Sequence, residues 1–592
     1  MASSFAYRPS LDGLRAIAIL AVFLYHLHGS WLPGGFVGVD VFFVLSGYLI
    51  TSVIMAEREK GSFSLVRFYQ RRIARLLPAF LVMAAATLAG AFLIYSPQDL
   101  ASTGANLAAA AASVINLKLM LQGTYFALSP DAEPFLHCWS LAVEEQFYFI
   151  YPVLLGFLYR RSRKLLVGAL AGLALLSLAA CIGMTFLRDS WAFYLLPTRA
   201  WELLAGGLLA LLPGSVTAGR IKWVPPVGIV LLLASFFVVR ESRGFPGYQG
   251  LLPVLGTLSV IAGTGSGDGR LQRILASPMM VLIGKLSYSL YLWHWPVFAL
   301  VDYKCLLLDE WTRVLIKTAI TLVAAGVSYR WIECPARAVL NRPAAHLRAY
   351  AALAASLVIC IPSGLAIRDA NYINAENGAE GKLTFNRKGQ AGGIVLMGDS
   401  HGSMYGTMVK QLAEELGYRL TVISVSSGDA LPPDPASTES LWTQSLETIR
   451  QESPDVVILV SNWQSHLGGR GQRLDLALEA LRPLTRKVIL ITQPPMLPAA
   501  GEREAIRRGA RPPFHEDQII RESRSAANDE VRARAGGKVQ VIDVESLFHN
   551  ADGGIPFWDA AGHLMFHDRG HLSLYGAERV KAPLEKAIRS AP

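Results

Sequence analysis

At 592 residues the chain is longer than a single domain usually runs. It is 52% hydrophobic and only 17% charged, short of the roughly 25% charged residues of soluble proteins, which excludes an ordinary soluble globular protein. The net charge of +10 does not point to nucleic acid, because the basic residues gather between apolar segments, where membrane topology requires them.

In chain order, eleven apolar stretches approach the ~20 residues needed to cross a bilayer core. They are 11–29, 36–56, 77–95, 139–158, 165–186, 195–213, 223–239, 249–265, 284–303, 312–331 and 349–367. The alanine-rich stretch 104–122 predicts a twelfth span or a helix lying in the interface. Basic residues set the direction. Loop two carries Arg58, Lys60, Arg67, Arg71, Arg72 and Arg75, loop four Arg160, Arg161, Arg163 and Lys164, and loop ten Arg337, Arg342 and Arg348. Loop one, from Ser30 to Gly35, has no Lys or Arg, and loop three sets Asp99, Asp131 and Glu133 against Lys118. By the positive-inside rule the N-terminus and the even loops are expected in the cytoplasm, which puts everything after residue 367 outside. No cleavable signal peptide is expected, since no small-residue cleavage site separates the first two stretches. The five cysteines, Cys138, Cys181, Cys305, Cys334 and Cys360, all lie in the apolar part, so the residues beyond Cys360 have no internal disulfide.

After about Ala366 the composition changes. "RDANYINAENGAEGKLTFNRKGQAGG" reads as a polar linker or partly ordered extension. Short apolar runs at Ile394–Met397, Leu420–Val425, Val456–Val460, Val488–Ile491 and Val539–Ile542 predict buried strands. Helices are predicted between them, at Ser403–Leu416 and Ser440–Gln451, and the alternation argues for an α/β domain with a parallel sheet. In "IVLMGDSHGSM", Ser400 falls at the carboxyl end of the first strand, where open α/β sheets carry their sites. "FHDRGHLSLYG" supplies Asp568 and His571, three apart, as orienting carboxylate and base for a serine nucleophile. Oxyanion donors are expected from the Ser400 backbone N–H, Gly428 and the Asn462 side chain, each following a strand. These blocks, Gly398-Asp399-Ser400, Gly428, Asn462 and Asp568-x-x-His571, resemble the SGNH/GDSL hydrolase superfamily.

The apolar half carries polar residues that lipid does not tolerate without a reason. Arg15 and His26 are eleven residues apart, within about 20° of whole helical turns and about 16 Å along the axis, roughly half the bilayer core. Asp40 lies in the second span, Arg72 and Arg75 at the entry of the third, and Glu144 and Glu145 in the fourth. Arg199 and Glu202 lie in the sixth and His294 in the ninth, where Trp293 and Trp295 suit an interfacial aromatic belt. Arg15-x10-His26, Asp40, Arg72-x-x-Arg75, "WSLAVEEQFY" and "SYSLYLWHWP", in this order, resemble the acyltransferase-3 family of membrane acyltransferases over residues 5–340. The fusion to an SGNH domain is similar to the bacterial O-antigen and peptidoglycan O-acetyltransferases.

The expected architecture is thus a polytopic α-helical membrane domain (1–345), an eleventh span and linker (346–390) and an SGNH domain (391–592). The resemblance implies a bacterial inner-membrane O-acetyltransferase that moves an acetyl group from cytoplasmic acetyl-CoA to a hydroxyl of a lipid-linked or surface glycan. No metal is expected. Arg15, Arg72 and Arg75 would hold the acyl-CoA. His26 would serve as base or transient acyl carrier, oriented by Asp40 or Glu144, with Glu145, Glu202 and His294 in support. Ser400 would then carry the acetyl group, or the membrane domain would acylate the sugar directly. A transporter or flippase with a sugar-binding tail, and a membrane-tethered deacetylase, are the competing classes.

Overall fold

The structure of the protein, a computed structural model, describes residues 7–95, 97–122, 132–212, 223–241, 244–264, 269–371, 382–425, 428–433, 441–468, 471–498, 513–550, 552–556, 558–561 and 563–590. Two compact units divide it, Met1–Tyr95 with Ser102–Arg368, and Ser96–Ala101 with Asp369–Pro592.

Each stretch expected to span has a helix in the first unit. In order these are Pro9–Leu27, Gly38–Glu59, Leu65–Ile94, Cys138–Tyr159, Arg163–Leu187, Leu196–Leu211, Val224–Val238, Leu251–Gly263, Pro278–Lys304, Glu310–Val327 and His346–Asn371. Among the described residues, 7 helical segments are long and apolar enough to cross a membrane by length and composition, while the Val224–Val238 helix is apolar but shorter. Two expectations change. The third helix begins at Leu65, where the Ser64 hydroxyl caps it by accepting from the Arg67 N–H. Its 30 residues reach about 45 Å, so Arg67, Arg71, Arg72 and Arg75 lie on the helix and not in a loop. The stretch 104–122 is not one span. It forms Pro97–Ala111 and Ile115–Gln122, broken near Ser113, which takes a φ of 55°.

The first and ninth of these helices make a close parallel pair. A Cβ added at Gly284 would lie 1.9 Å from the Asp12 carbonyl oxygen, so only glycine permits this approach. Asp12 beside Gly284, and His26 beside His294 further along both helices, shows that the two run in the same direction.

In the second unit a six-stranded sheet has the order β1-β3-β2-β4-β5-β6. The strands are β1 (Lys382–Phe385), β2 (Gly393–Gly398), β3 (Arg419–Ser424), β4 (Val456–Val460), β5 (Lys487–Ile491) and β6 (Val539–Ile542). Strands β2 to β6 pair in parallel, and the unbroken apolar runs of β2, β4 and β5 are those of strands covered on both faces, whereas Thr421 interrupts β3 and Gln540 interrupts the half-buried edge strand β6. Strand β1 corrects the linker expectation, since it pairs antiparallel on the edge of β3 and makes the sheet mixed. Its four residues, KLTF, are half-exposed and too short to show an apolar run. Residues 372–381 of the expected linker lie outside the described residues. Gly398 stands opposite both Ser424 and Val460, so the carboxyl ends of β2, β3 and β4 are level and bring their outgoing loops together.

Candidate functional site

Ser400 opens the short helix Ser400–Ser403 directly after β2. A Cβ at Gly398 would come within 2.1 Å of the Val460 carbonyl oxygen, so the turn needs glycine to lie this close to β4. The Ser400 Oγ is 2.7 Å from His571 Nε2, and His571 Nδ1 is 2.7 Å from Asp568 Oδ2 and 2.9 Å from Oδ1. Asp568 Oδ1 also accepts from the Gly570 and His571 N–H groups, both at 2.8 Å. Burial opposes ionisation of Asp568, but the His571 imidazole and these N–H groups hold its carboxyl down at about 2. The structure therefore brings Ser400, His571 and Asp568 into one hydrogen-bonded chain. At neutral pH the carboxylate is ionised and fixes the proton on Nδ1, leaving Nε2 to accept from the serine.

The expected oxyanion donors fare differently. Asn462 follows β4, and its side-chain oxygen accepts from the Ser465 N–H at 3.2 Å, which leaves the amide NH2 as the donor end. The Gly428 N–H donates to the Val425 carbonyl at 2.9 Å and is already committed there, a correction to its expected role.

A partly buried network beside this site was not anticipated. Asp399 Oδ1 accepts from the His401 N–H at 2.8 Å, and Oδ2 accepts from the Ser461 hydroxyl at 3.0 Å and the Asn462 N–H at 2.7 Å. His466 Nε2 lies 3.3 Å from Asp399 Oδ2, and its Nδ1 lies 3.5 Å from Asp429 Oδ1. Arg473 reaches the other oxygen of Asp429 at 2.5 Å. Asp399, and then Asp429, push the His466 imidazole up to about 9 against the effect of burial. Burial instead pushes His401, whose ring centroid is 5.0 Å from that of His571, down to about 4. The sequence does carry a trace of this network. Asp399 sits inside the serine block, Asp429 follows Gly428, and His466 is one helical turn beyond Asn462.

In the first unit, Arg15, Arg72 and Arg75 meet on one cavity of ≈ 280 Å³, together with Ser46, Glu144 and Tyr148. Arg15 stands 3.3 Å from Asp12, and Glu144 accepts from Ser46 at 2.8 Å and from Tyr148 at 3.0 Å. The Nε atoms of Arg72 and Arg75 are buried with no hydrogen-bond partner among the described residues. Glu145 lines a neighbouring cavity of ≈ 280 Å³ that also touches Arg72. Tyr291 lines both the arginine cavity and a much smaller one that holds His26, Asp40, His137 and Arg199.

The expectation that Asp40 or Glu144 orients His26 is not what the contacts display. Asp40 is 3.1 Å and Glu202 3.2 Å from Arg199, whose guanidinium lies within 5.5–5.9 Å of the ring centres of Phe43, Trp139, Phe193 and Phe245. A guanidinium buried inside a helical membrane unit needs such carboxylates and ring faces, which is why Asp40 and Glu202 are drawn to it. At His26 Nδ1 stands His294 Nε2, at 3.1 Å, with the rings stacked at 5.2 Å and 20°. Trp295 packs against His26 at 4.7 Å and 73°, inside the unit and not as an interfacial belt. His137, which sequence reasoning passed over, packs on His294 at 5.8 Å. It sits one position before "CWSLAVEEQ", where a buried polar residue leaves no periodic signal.

Fold and site together define a membrane-integral helical protein that carries an SGNH-like α/β unit. Residues 8–330 match the acyltransferase-3 family model, described as an acyltransferase domain, and residues 370–586 match the SGNH domain fused to such domains. The chain belongs to this acyltransferase-3 family. It is 34% identical to the O-acetyltransferase OatA of Staphylococcus aureus over 347 residues, which is 56% of this chain and 57% of OatA. The periplasmic domain of a lipopolysaccharide acetyltransferase of Salmonella ser. Paratyphi A aligns at 16% identity, covering 34% of this chain and 85% of that one, with a TM-score of 0.28. A catalytic mutant of the acetylxylan esterase Axe2 of Geobacillus stearothermophilus aligns at 16% identity, covering 34% of this chain and 95% of that one, with a TM-score of 0.23.

Proposed function

We propose that the chain is an O-acetyltransferase of a bacterial cytoplasmic membrane, taking acetyl from cytoplasmic acetyl-CoA and delivering it to a hydroxyl of an extracytoplasmic, lipid-linked or surface glycan such as O-antigen. The observation that carries the reading is the cavity where Arg15, Arg72 and Arg75 converge, with the Nε atoms of two of them buried and unpartnered among the described residues. Guanidinium groups in that state suit the phosphates of a coenzyme through charge-assisted hydrogen bonds. A deacetylase has no use for such a cavity, and a transporter has no use for the triad.

In this reading His26 activates the acyl transfer within the membrane unit. The Ser400 Oγ then attacks the acyl carbonyl carbon while His571 Nε2 takes its proton, Asp568 stabilises the imidazolium, the bond from the acyl carbon to its donor breaks, and His571 returns the proton to that leaving group and is neutral again. The Ser400 N–H and the Asn462 NH2 are the oxyanion donors. A sugar hydroxyl attacks the acyl-serine, gives its proton to His571, and restores the serine. A better-placed hydroxyl outcompetes water, so the triad transfers where a free esterase would hydrolyse.

Inverted membrane vesicles containing the full chain, supplied with acetyl-labelled acetyl-CoA, test the reading. Base-labile label is expected in glycan and is expected to vanish in His26→Ala. Ser400→Ala is expected to abolish transfer; a wild-type rate in that variant would favour direct acylation of the sugar by the membrane unit. Label that never leaves acetyl-CoA would overturn the assignment.

A further inference from the structure

We propose that His294 is a positioning residue that fixes the tautomer of His26 and places the reactive lone pair of His26 on Nε2. The proposal rests on the acyl-transfer reading of the membrane unit and deepens it. His294 Nδ1 lies 2.7 Å from the Tyr291 carbonyl oxygen and 3.2 Å from that of Leu290. Carbonyl oxygens only accept, so Nδ1 carries the proton. Turning the ring over would press a carbon against the nearer carbonyl and lose both bonds. The His294 ring is fully buried, and among the described residues no carboxylate is hydrogen-bonded to it. An uncompensated charge there is costly, so the ring is neutral.

A neutral His294 protonated on Nδ1 has a lone pair on Nε2. His26 Nδ1, 3.1 Å away, must then be the donor of that hydrogen bond. A neutral His26 that donates from Nδ1 holds its own lone pair on Nε2. Asp40 is engaged by Arg199, and Glu144 by Ser46 and Tyr148. The imidazole of His294 thus does for His26 what Asp568 does for His571, orienting the ring with an acceptor that bears no charge. The close approach at Gly284 and the edge of Trp295 hold the pair in register. The chemistry balances with Nε2 as base. It takes the proton of the attacking hydroxyl as the new C–O bond forms, the thioester C–S bond breaks, and the departing thiolate collects that proton from Nε2.

Release of CoA from acetyl-CoA by the full chain in lipid nanodiscs is the test. Wild type must release CoA faster than His26→Ala; if it does not, the acyl-transfer reading itself fails and this proposal with it. Given that release, His294→Leu removes the acceptor and is expected to lower kcat by roughly 100-fold or more, in the direction a wrong tautomer takes a serine triad. KM for acetyl-CoA is expected to stay within about threefold, because His294 is not part of the arginine cavity. His294→Gln, whose amide oxygen can still accept from His26 Nδ1, is expected to recover roughly tenfold over the leucine variant. A leucine variant within about threefold of wild-type kcat overturns the proposal, and so do leucine and glutamine variants that fall alike.

Discussion

Arg72 and Arg75 show how one residue type serves two ends. Basic residues at this end of the third helix suit the topology rule, yet both guanidiniums reach inward to the cavity shared with Arg15. A topology charge works from the surface; a ligand-binding charge must lose water and await a partner. The buried Nε atoms, unpartnered among the described residues, fit the second role. Removing one charge-assisted hydrogen bond costs about 1.5–3 kcal/mol, so Arg72→Ala is expected to raise KM for acetyl-CoA by roughly 10- to 100-fold with a smaller change in kcat. Steady-state CoA release checks it, and an unchanged KM would reduce Arg72 to a topology signal. His26 and His137 carry the opposite lesson. Both polar rings are visible in the sequence, but only the helix carrying His294 tells what each ring faces.

At the scale of elements, the second unit depends on loops that leave β2, β3 and β4 at one level. Asp399 after β2 is tied to Asn462 after β4, and His466 joins both to Asp429 after β3. That junction titrates. With the folded-state pKa of His466 raised to about 9, above its ordinary 6.5, the protonated form is the one that stabilises. Its contribution is fully present below about 6.5 and is lost as pH rises through about 9. His466→Gln is therefore expected to weaken the second unit at neutral pH and to match wild type by about pH 10. Heat-challenged full-length protein, with cleavage inside the sheet read by peptide mass spectrometry, measures this; a difference that persists undiminished at high pH would argue against the imidazolium. The sheet's five parallel strands were legible because each carries a short, mostly apolar run, unbroken in β2, β4 and β5. Strand β1 was not, since four half-exposed edge residues make no such run.

For the whole molecule the question is which side of the bilayer holds each unit. The parallel run of the first and ninth helices agrees with two odd-numbered spans crossing in one direction. In the proposed reading an odd number of spans puts the SGNH unit outside while acyl-CoA is supplied inside, so the molecule hands an acyl group across. A C-terminal alkaline phosphatase fusion, active only outside the cytoplasm, is expected to be active on the full chain. A C-terminal fluorescent protein that lights up in the cytoplasm instead would reverse the topology and leave Ser400 on the coenzyme side.

Run length, periodicity and charge between spans are local properties of the chain. The helices of the first unit, the strands β2 to β6 and the order of Ser400 before Asp568 and His571 could be read from them without coordinates. Partner choice is not local. That Asp40 answers Arg199, that His294 stands at His26, and that Gly428 spends its N–H on Val425 depend on which faces pack and how closely. Backbone approaches such as Gly284 on Asp12 set those faces, and inside a low-dielectric unit each buried polar group takes the nearest complementary partner that packing offers. Only the tertiary structure could decide this, because the energy that selects a partner belongs to the pair and its burial, not to either residue alone.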